Sequence, residues 1–353
     1  MEVCSQNLND PKTILLKVNG NKCNMACEYC SELPKAFTKE QCQFDLGKMS
    51  EILKKVPKDA DIIFHGGEPT LIGLDNMQKL IERIHDLGFK LKPSVQTNGL
   101  LGEEWVDFFA ENRETIRVSV SIDGDKSCNS YRRTKKGNAD EAFRKVDFFL
   151  TKLDERGIPF RCIATINRQS FAKGKDIVAY FAKYNHLKFV RLNPCFDLDT
   201  DGIRDWAITP KQYLKCLKDA FVQMLKLQTY RKFKLDPLMD VMNNSQRNNW
   251  EFEFKCNKFA SLFPNGLITS CDAMREVRQN MPKLEDIFTG FVQPDYVARE
   301  VEFCNNCKEL SICKGGCPPL MHRYRMLNVE YLKEYCYYRV ELRKYIIQSL
   351  EMV

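Results

Sequence analysis

The run Cys23-Asn-Met-Ala-Cys27-Glu-Tyr-Cys30 constrains this chain more than any other feature, and it follows directly on the strand-like segment ILLKVNG. Three thiols in a C-x3-C-x2-C pattern can wrap one face of an iron–sulfur cube. Three ligands for four irons leave one iron open. An open iron can chelate a small molecule, whereas a fully ligated cluster only passes electrons. The competing readings are a zinc site and three incidental buried cysteines. Zinc usually takes four ligands in paired CxxC groups, which this run does not offer.

Composition removes other uses of the cysteines. There are sixteen in 353 residues, at a density that would read as disulfides in a secreted miniprotein. The N-terminus, MEVCSQNLNDPK, shows no basic stretch followed by an apolar core, so no signal peptide is expected. No run approaches the length of a membrane span. The expected location is the cytoplasm, where clustered cysteines hold metals or iron–sulfur groups. The net charge of +7 is modest. The basic run at Arg132, Arg133, Lys135 and Lys136 reads as a solvated loop, and neither nucleic acid nor a membrane is expected as a partner.

Up to about residue 235 the sequence alternates strand-like and helix-like segments. DIIFHGG, PSVQTNG, IRVSVSIDG, FRCIATIN and KFVRLNP are β-rich runs, and amphipathic segments such as LDNMQKLIERIHDLG lie between them. About six βα units of this kind predict an α/β fold with parallel strands and outer helices. A partial (β/α)6 barrel is preferred to a doubly wound sheet because the polar residues gather at strand ends, where barrels do their chemistry. Beyond a boundary placed near 235 the alternation stops, and Cys256, Cys271, Cys304, Cys307, Cys313, Cys317 and Cys336 appear. This gives a barrel over 1–235 and a small cysteine-rich domain over 236–353 that ends in a long helix.

Four motifs in order carry a resemblance. They are the cysteine run with Tyr29 before its last cysteine, Gly66-Gly67-Glu68-Pro69, Gln96-Thr97-Asn98-Gly99 and Ser121-Ile122-Asp123-Gly124. Together they resemble the radical S-adenosylmethionine (SAM) superfamily. The resemblance implies that Cys23, Cys27 and Cys30 hold a 4Fe–4S cluster that cleaves SAM to a 5′-deoxyadenosyl radical. It also implies that Gly66, Gly67, Glu68 and Pro69 receive the methionyl end, with the glycines allowing close approach and Glu68 pairing the ammonium. Gln96, Asn98, Ser121 and Asp123 would line the rest of the SAM site. Arg133, or alternatively Arg132, would meet the SAM carboxylate. The proline common after the last glycine in that family is Asp125 here.

The later cysteines resemble the SPASM domain that follows many radical SAM barrels; taken locally, a zinc ribbon is the main alternative, which the whole seven-cysteine arrangement makes a minor one. By this resemblance Cys304, Cys307, Cys313 and Cys336 would hold a distal 4Fe–4S cluster, and Cys256, Cys271 and Cys317 a proximal one, three clusters in all. The proximal set is one ligand short, because Asn257 to Leu262 contains no cysteine. Either an iron stays open or a distant residue such as Cys195 completes it. Asp272 would act as a base on the substrate or only order the cluster loop.

The implied substrate is a peptide or protein, and the implied electron donor a flavodoxin or ferredoxin. The first expectation is an oxidoreductase that matures a ribosomally made peptide by cross-linking or oxidising a residue. Only 22 residues precede Cys23, too few for a leader-binding domain. The second expectation is an anaerobic sulfatase-maturating enzyme forming formylglycine from Cys or Ser; the absent cysteine counts against it. A small-molecule radical dehydrogenase ranks third.

Overall fold

A computed structural model describes residues 13–32, 42–199, 202–243, 259–269, 271 and 294–351. Its strands are β1 (Thr13–Lys17), β2 (Asp61–His65), β3 (Ser94–Thr97), β4 (Arg117–Ser121), β5 (Phe160–Ile166), β6 (Leu187–Pro194), β7 (Leu198–Asp199), β8 (Gly202–Ile203), β9 (Lys234–Asp236), β10 (Phe259–Leu262) and β11 (Ile268–Thr269). Its α-helices are α1 (Leu46–Lys54), α2 (Leu74–Asp86), α3 (Glu103–Glu111), α4 (Ala139–Glu155), α5 (Gly174–Ala182), α6 (Pro210–Lys226), α7 (Leu238–Met242), α8 (Asp295–Asn305), α9 (Leu310–Cys313), α10 (Pro318–Leu327) and α11 (Val329–Glu351).

One open sheet runs in the order β11-β10-β1-β2-β3-β4-β5-β6-β9. From β10 to β9 every pairing is parallel, and β11 is antiparallel to β10. The six expected βα repeats form β1 to β6, each joined to the next through a helix, and the sheet is a partial barrel. Alternate strand residues point outwards into the helical layer: Ile14 and Leu16, Ile62 and Phe64, Val118 and Val120, Cys162 and Ala164, Val190 and Leu192 are all buried in one apolar core. The residues between them, such as Asp61, Arg117, Arg161 and Arg191, are only half-buried and face inwards.

The expected boundary near 235 falls inside β9, which pairs with β6 and closes that edge of the barrel. Chain beyond the boundary then returns to the sheet, because β10 pairs with β1 at the opposite edge. The change of texture in the sequence is therefore not a clean break in the sheet. The C-terminal helices join the barrel through aromatic packing. Phe196, just past β6, lies edge-on to Tyr213, Tyr324, Tyr335 and Tyr338, with ring centroids 5.5–6.2 Å away. Lys218 on α6 also pairs with Glu341 on α11 at 2.7 Å. Among the described residues no helix is long and apolar enough to cross a membrane.

Candidate functional site

The first cysteine run lies on the loop after β1, and the Gly66-Gly67 turn after β2 is docked directly on it. Gly67 N donates to Gly20 O and Glu68 N to Lys22 O, both at 2.8 Å. A Cβ on Gly66 would sit 2.4 Å from Gly20 O, and one on Gly67 2.1 Å from Lys22 O. Gly66 also has φ +120°, a conformation that side chains resist. Close approach was expected towards the methionyl end of SAM. What these glycines approach in the structure is the backbone that leads to Cys23.

Glu68 is fully buried. Its Oε1 accepts from Thr70 N, Thr70 Oγ1 and Thr97 Oγ1 at 2.7–3.1 Å, and its Oε2 accepts from Asn98 N at 2.7 Å. Burial raises its pKa, and these four donors oppose the rise. The carboxylate expected to pair with the SAM ammonium thus ties the ends of β2 and β3 together. Asn98 Nδ2 reaches on to Asn24 Oδ1 at 2.7 Å and Cys23 Sγ at 3.5 Å. Met25 N also points at Cys23 Sγ, at 3.4 Å.

Asp123, after β4, is buried as well. It accepts from Tyr29 Oη at 2.6 Å, Thr165 N at 2.9 Å and Asn167 Nδ2 at 3.2 Å. Burial pushes its pKa up to about 6, with Arg132 and the Tyr29 bond opposing. Asn129 shapes this turn by accepting from Asp123 N and donating to Gly124 O and Asp125 O. Asp125 accepts from Ser127 N and Oγ, a cap on the following turn that proline could not provide. Gln96 Nε2 donates to Ser121 Oγ at 2.8 Å across the inner face.

The two neighbouring arginines part company. Arg133 was the expected carboxylate partner, but it turns outwards to Glu28 at 2.6 Å and is 40% exposed. Arg132 is buried, donates to Asn98 O at 3.0 Å, and lies beside Cys27, Tyr29 and Asp123. The inward guanidinium is therefore Arg132. Adjacent residues in an extended loop point opposite ways, and sequence does not say which is which. Lys17 at the end of β1 was not foreseen either. It is fully buried, pairs with Glu32 at 3.1 Å and lies 3.2 Å from His65 Nδ1, pinning the far end of the cysteine loop. A lysine in an otherwise apolar strand was the available signal.

The donor set fits an iron–sulfur cluster. Burial raises the thiol pKa values of Cys23 and Cys27, the latter to about 11 with Arg132 opposing. Such thiols become thiolates only beside strong positive charge, which iron supplies. The Asn98 and Met25 donors to Cys23 Sγ and the charge of Arg132 beside Cys27 suit sulfur that carries negative charge. Among the described residues no three His, Cys, Asp or Glu side chains close to the spacing of a single metal ion.

The second site is built on helices. Cys304 at the end of α8, Cys307 after it, Cys313 closing α9 and Cys336 on α11 line one cavity of about 400 Å³, with Phe303, Leu310 and Tyr337. Burial pushes Cys304 up to about 11 and Cys336 to about 12, each reinforced by the neighbouring thiols. The turn after α9 carries left-handed Lys314 and Gly315, held from below by Arg339, which donates to Cys313 O and Gly315 O. Cys317 is buried beside Tyr335, outside this cavity. Cys195 is buried at the end of β6, and its carbonyl accepts from Ile208 N. Cys256 and Asp272 lie outside the described residues.

Residues 19–167 match the radical SAM superfamily. The chain is 24% identical over 332 residues to the cysteine-type anaerobic sulfatase-maturating enzyme of Clostridium perfringens, covering 87% of this chain and 89% of that one. Among solved structures it resembles anSMEcpe with bound SAM and the Kp18Cys peptide, with TM-score 0.76 and 22% identity over 97% of this chain and 100% of that one. It also resembles Streptococcus suis SuiB bound to its precursor peptide SuiA, with TM-score 0.59 and 18% identity over 89% and 73%. A cysteine loop after the first strand, the strand-end motifs packed around it and the matched superfamily agree: this chain carries a radical SAM domain.

Proposed function

We propose that the chain is a peptide- or protein-modifying radical SAM enzyme of the sulfatase-maturating kind, converting a Cys or Ser side chain to formylglycine. The observation that carries this reading is the extent of the likeness. The match to the cysteine-type maturating enzyme runs through barrel and C-terminal region alike, over 87% of one chain and 89% of the other. This reverses the order reached from sequence, where the missing eighth cysteine placed peptide cross-linking first. That second reading keeps two supports: the cysteine-free stretch Asn257 to Leu262, and the likeness to SuiB.

Cys23, Cys27 and Cys30 would hold a 4Fe–4S cluster, which supplies the electron that splits SAM into methionine and a 5′-deoxyadenosyl radical. Cys304, Cys307, Cys313 and Cys336 would hold an auxiliary cluster for one-electron exchange, and Cys256, Cys271 and Cys317 a further one. A flavodoxin or ferredoxin is the proposed electron donor. The chain's own part is placement. Glu68 fixes Asn98 and the end of β3, Asp123 fixes Tyr29 and the end of β5, and Arg132 brings positive charge to Cys27. This holds the site rigid against the barrel rim and limits water around a reactive radical. The proposed base, Asp272, would take the proton released on oxidation.

The test is mass spectrometry of cysteine- and serine-containing peptides incubated with the reduced enzyme and SAM. An aldehyde at the target residue supports formylglycine formation. Loss of two hydrogens with no aldehyde moves the assignment to cross-linking.

A further inference from the structure

The inner face of the barrel carries an imbalance of charge. Asp61 on β2, Arg117 on β4, Arg161 on β5, Phe189 and Arg191 on β6, and Lys234 and Asp236 on β9 alternate with outward core residues, so all share the inner face. Register sets Gln96 opposite Ser119, Ser119 opposite Arg161, Arg161 opposite Phe189, and Phe189 opposite Lys234. The row thus begins at Gln96, beside Ser121, and runs away from the cysteine loop.

Three cations surround the Phe189 ring. Arg161 Cζ lies 5.9 Å from its centroid, Arg191 Cζ 5.5 Å and Lys234 Nζ 6.0 Å. An aromatic face offsets only part of one positive charge. Arg191 has its own carboxylate, Asp236 at 2.7 Å, Lys234 pairs with Asp240, and Arg117 pairs with Asp61. Arg161 has none: among the described residues its guanidinium makes no hydrogen bond or ion pair. Burial, then the charges of Arg117 and Arg191, depress its pKa, with Asp61 opposing. Burial raises the Asp236 pKa to about 6, with the charge of Arg191 opposing. A half-buried guanidinium among like charges is costly without an anion, and a carboxylate is the anion that matches its fork.

We propose that Arg161, backed by Arg191, Lys234 and Phe189, is a carboxylate-recognising subsite, and that the substrate peptide carries an Asp or Glu close to the residue it presents to SAM. The inference rests on the peptide-substrate reading above and narrows it. The carboxylate of SAM has the same chemistry. However, the family resemblance gives that carboxylate to Arg132 or Arg133 in the loop beyond the C-terminal end of β4, whereas Arg161 stands near the start of β5.

The experiment uses the full, cluster-reconstituted chain with 5′-deoxyadenosine and methionine in place of SAM, so that nothing turns over. It is equilibrated with a pool of acetylated, amidated peptides that have a central cysteine and randomised neighbours. Retained peptides are sequenced by mass spectrometry. The expected result is about tenfold enrichment of Asp and Glu over Asn and Gln at one offset from the cysteine, the scale of a charge-assisted hydrogen bond. Arg161→Met should erase the enrichment, Arg161→Lys should keep part of it, and added salt should shrink it in the unmodified protein. Retention without acidic enrichment, enrichment that ignores salt, or enrichment unchanged in Arg161→Met overturns the subsite. No retention of any peptide overturns the peptide reading itself and the subsite with it. A parallel titration compares SAM with its carboxamide. If Arg161→Met loses the preference for SAM over the carboxamide, the guanidinium belongs to SAM and the proposal fails. If Arg161→Met does not fold, as judged by its melting transition, the lysine variant and the salt series decide.

Discussion

The two cysteine sites are held by different means. The first triad sits on an irregular loop whose shape comes from backbone docked on backbone: the Gly66-Gly67 turn against Gly20 and Lys22, and Ala26 N donating to Arg133 O. Buried Glu68, Asp123 and Lys17 clamp it from β2, β4 and β1. The second set sits at helix ends and on α11, and side chains surround it. An added Cβ on Gly316 would meet Met321 Sδ and Tyr335 Cε1, both at 2.8 Å, rather than backbone. A site that must leave one iron open for SAM needs its surroundings fixed by many distant strands. A site of four thiols in one cavity needs only that its helices stay packed.

This contrast can be broken most directly at the cysteines. Cys27→Ala is expected to abolish formation of 5′-deoxyadenosine from SAM and reductant, and persistence of that product would remove the basis for the SAM site. Cys336→Ala is expected to lower the iron content by about four per chain while 5′-deoxyadenosine remains detectable. If zinc were found in place of that iron, the second site would be a zinc ribbon.

Next in size comes the glycine pair. Gly67→Ala forces a Cβ against Lys22 O and should cost several kcal/mol or prevent the loop from forming, read as loss of iron at the first site. Gly316→Ala should cost less, about 1–3 kcal/mol, because Met321 can move aside. Equal effects would show that the two sites are held alike.

Asp123→Asn should destabilise the fold by about 1–3 kcal/mol, because an amide cannot accept from Tyr29, Thr165 and Asn167 as a carboxylate does. Its pH dependence has a definite sign. With its pKa pushed up to about 6, Asp123 holds a proton in the folded chain at pH values where the unfolded chain has released it. Stability should therefore fall as pH rises from about 4 to about 6, then level off. Asp123→Asn should flatten that part of the curve in thermal melts, and an unchanged slope would assign it to another group.

The smallest expected effect separates the two arginines. Arg133→Gln removes an exposed pair with Glu28 and should cost no more than about 1 kcal/mol. Arg132→Gln should weaken the first site measurably more, read as SAM affinity and iron retention. The reverse order would restore Arg133 as the inward group.

Much of this architecture is written locally. The alternation of β-rich and amphipathic runs specifies parallel strands and outer helices, since period is a property of short segments. The C-x3-C-x2-C spacing marks a loop able to face a cube, and the strand-end motifs mark where the chemistry gathers. Legible too was the grouping of Cys304, Cys307, Cys313 and Cys336, although only through a family resemblance; the structure sets these four around one cavity.

Other features depended on the tertiary structure. Glu68 was expected to pair with the SAM ammonium; in the structure four donors surround its carboxylate, and two of them, Thr97 Oγ1 and Asn98 N, are there because β3 lies beside β2. Whether Arg132 or Arg133 turns inwards depends on loop geometry set by contacts with Ala26 and Glu28. Arg161 looks like any polar residue in an alternating strand until register places it beside Phe189, with no ion pair among the described residues. Periodicity and motif spacing travel with the chain, so sequence alone determined the barrel and its cysteines. Charge pairing is settled between strands far apart in sequence, so only the folded structure decided which of these ionic groups are paired and that Arg161 has no ion pair among the described residues.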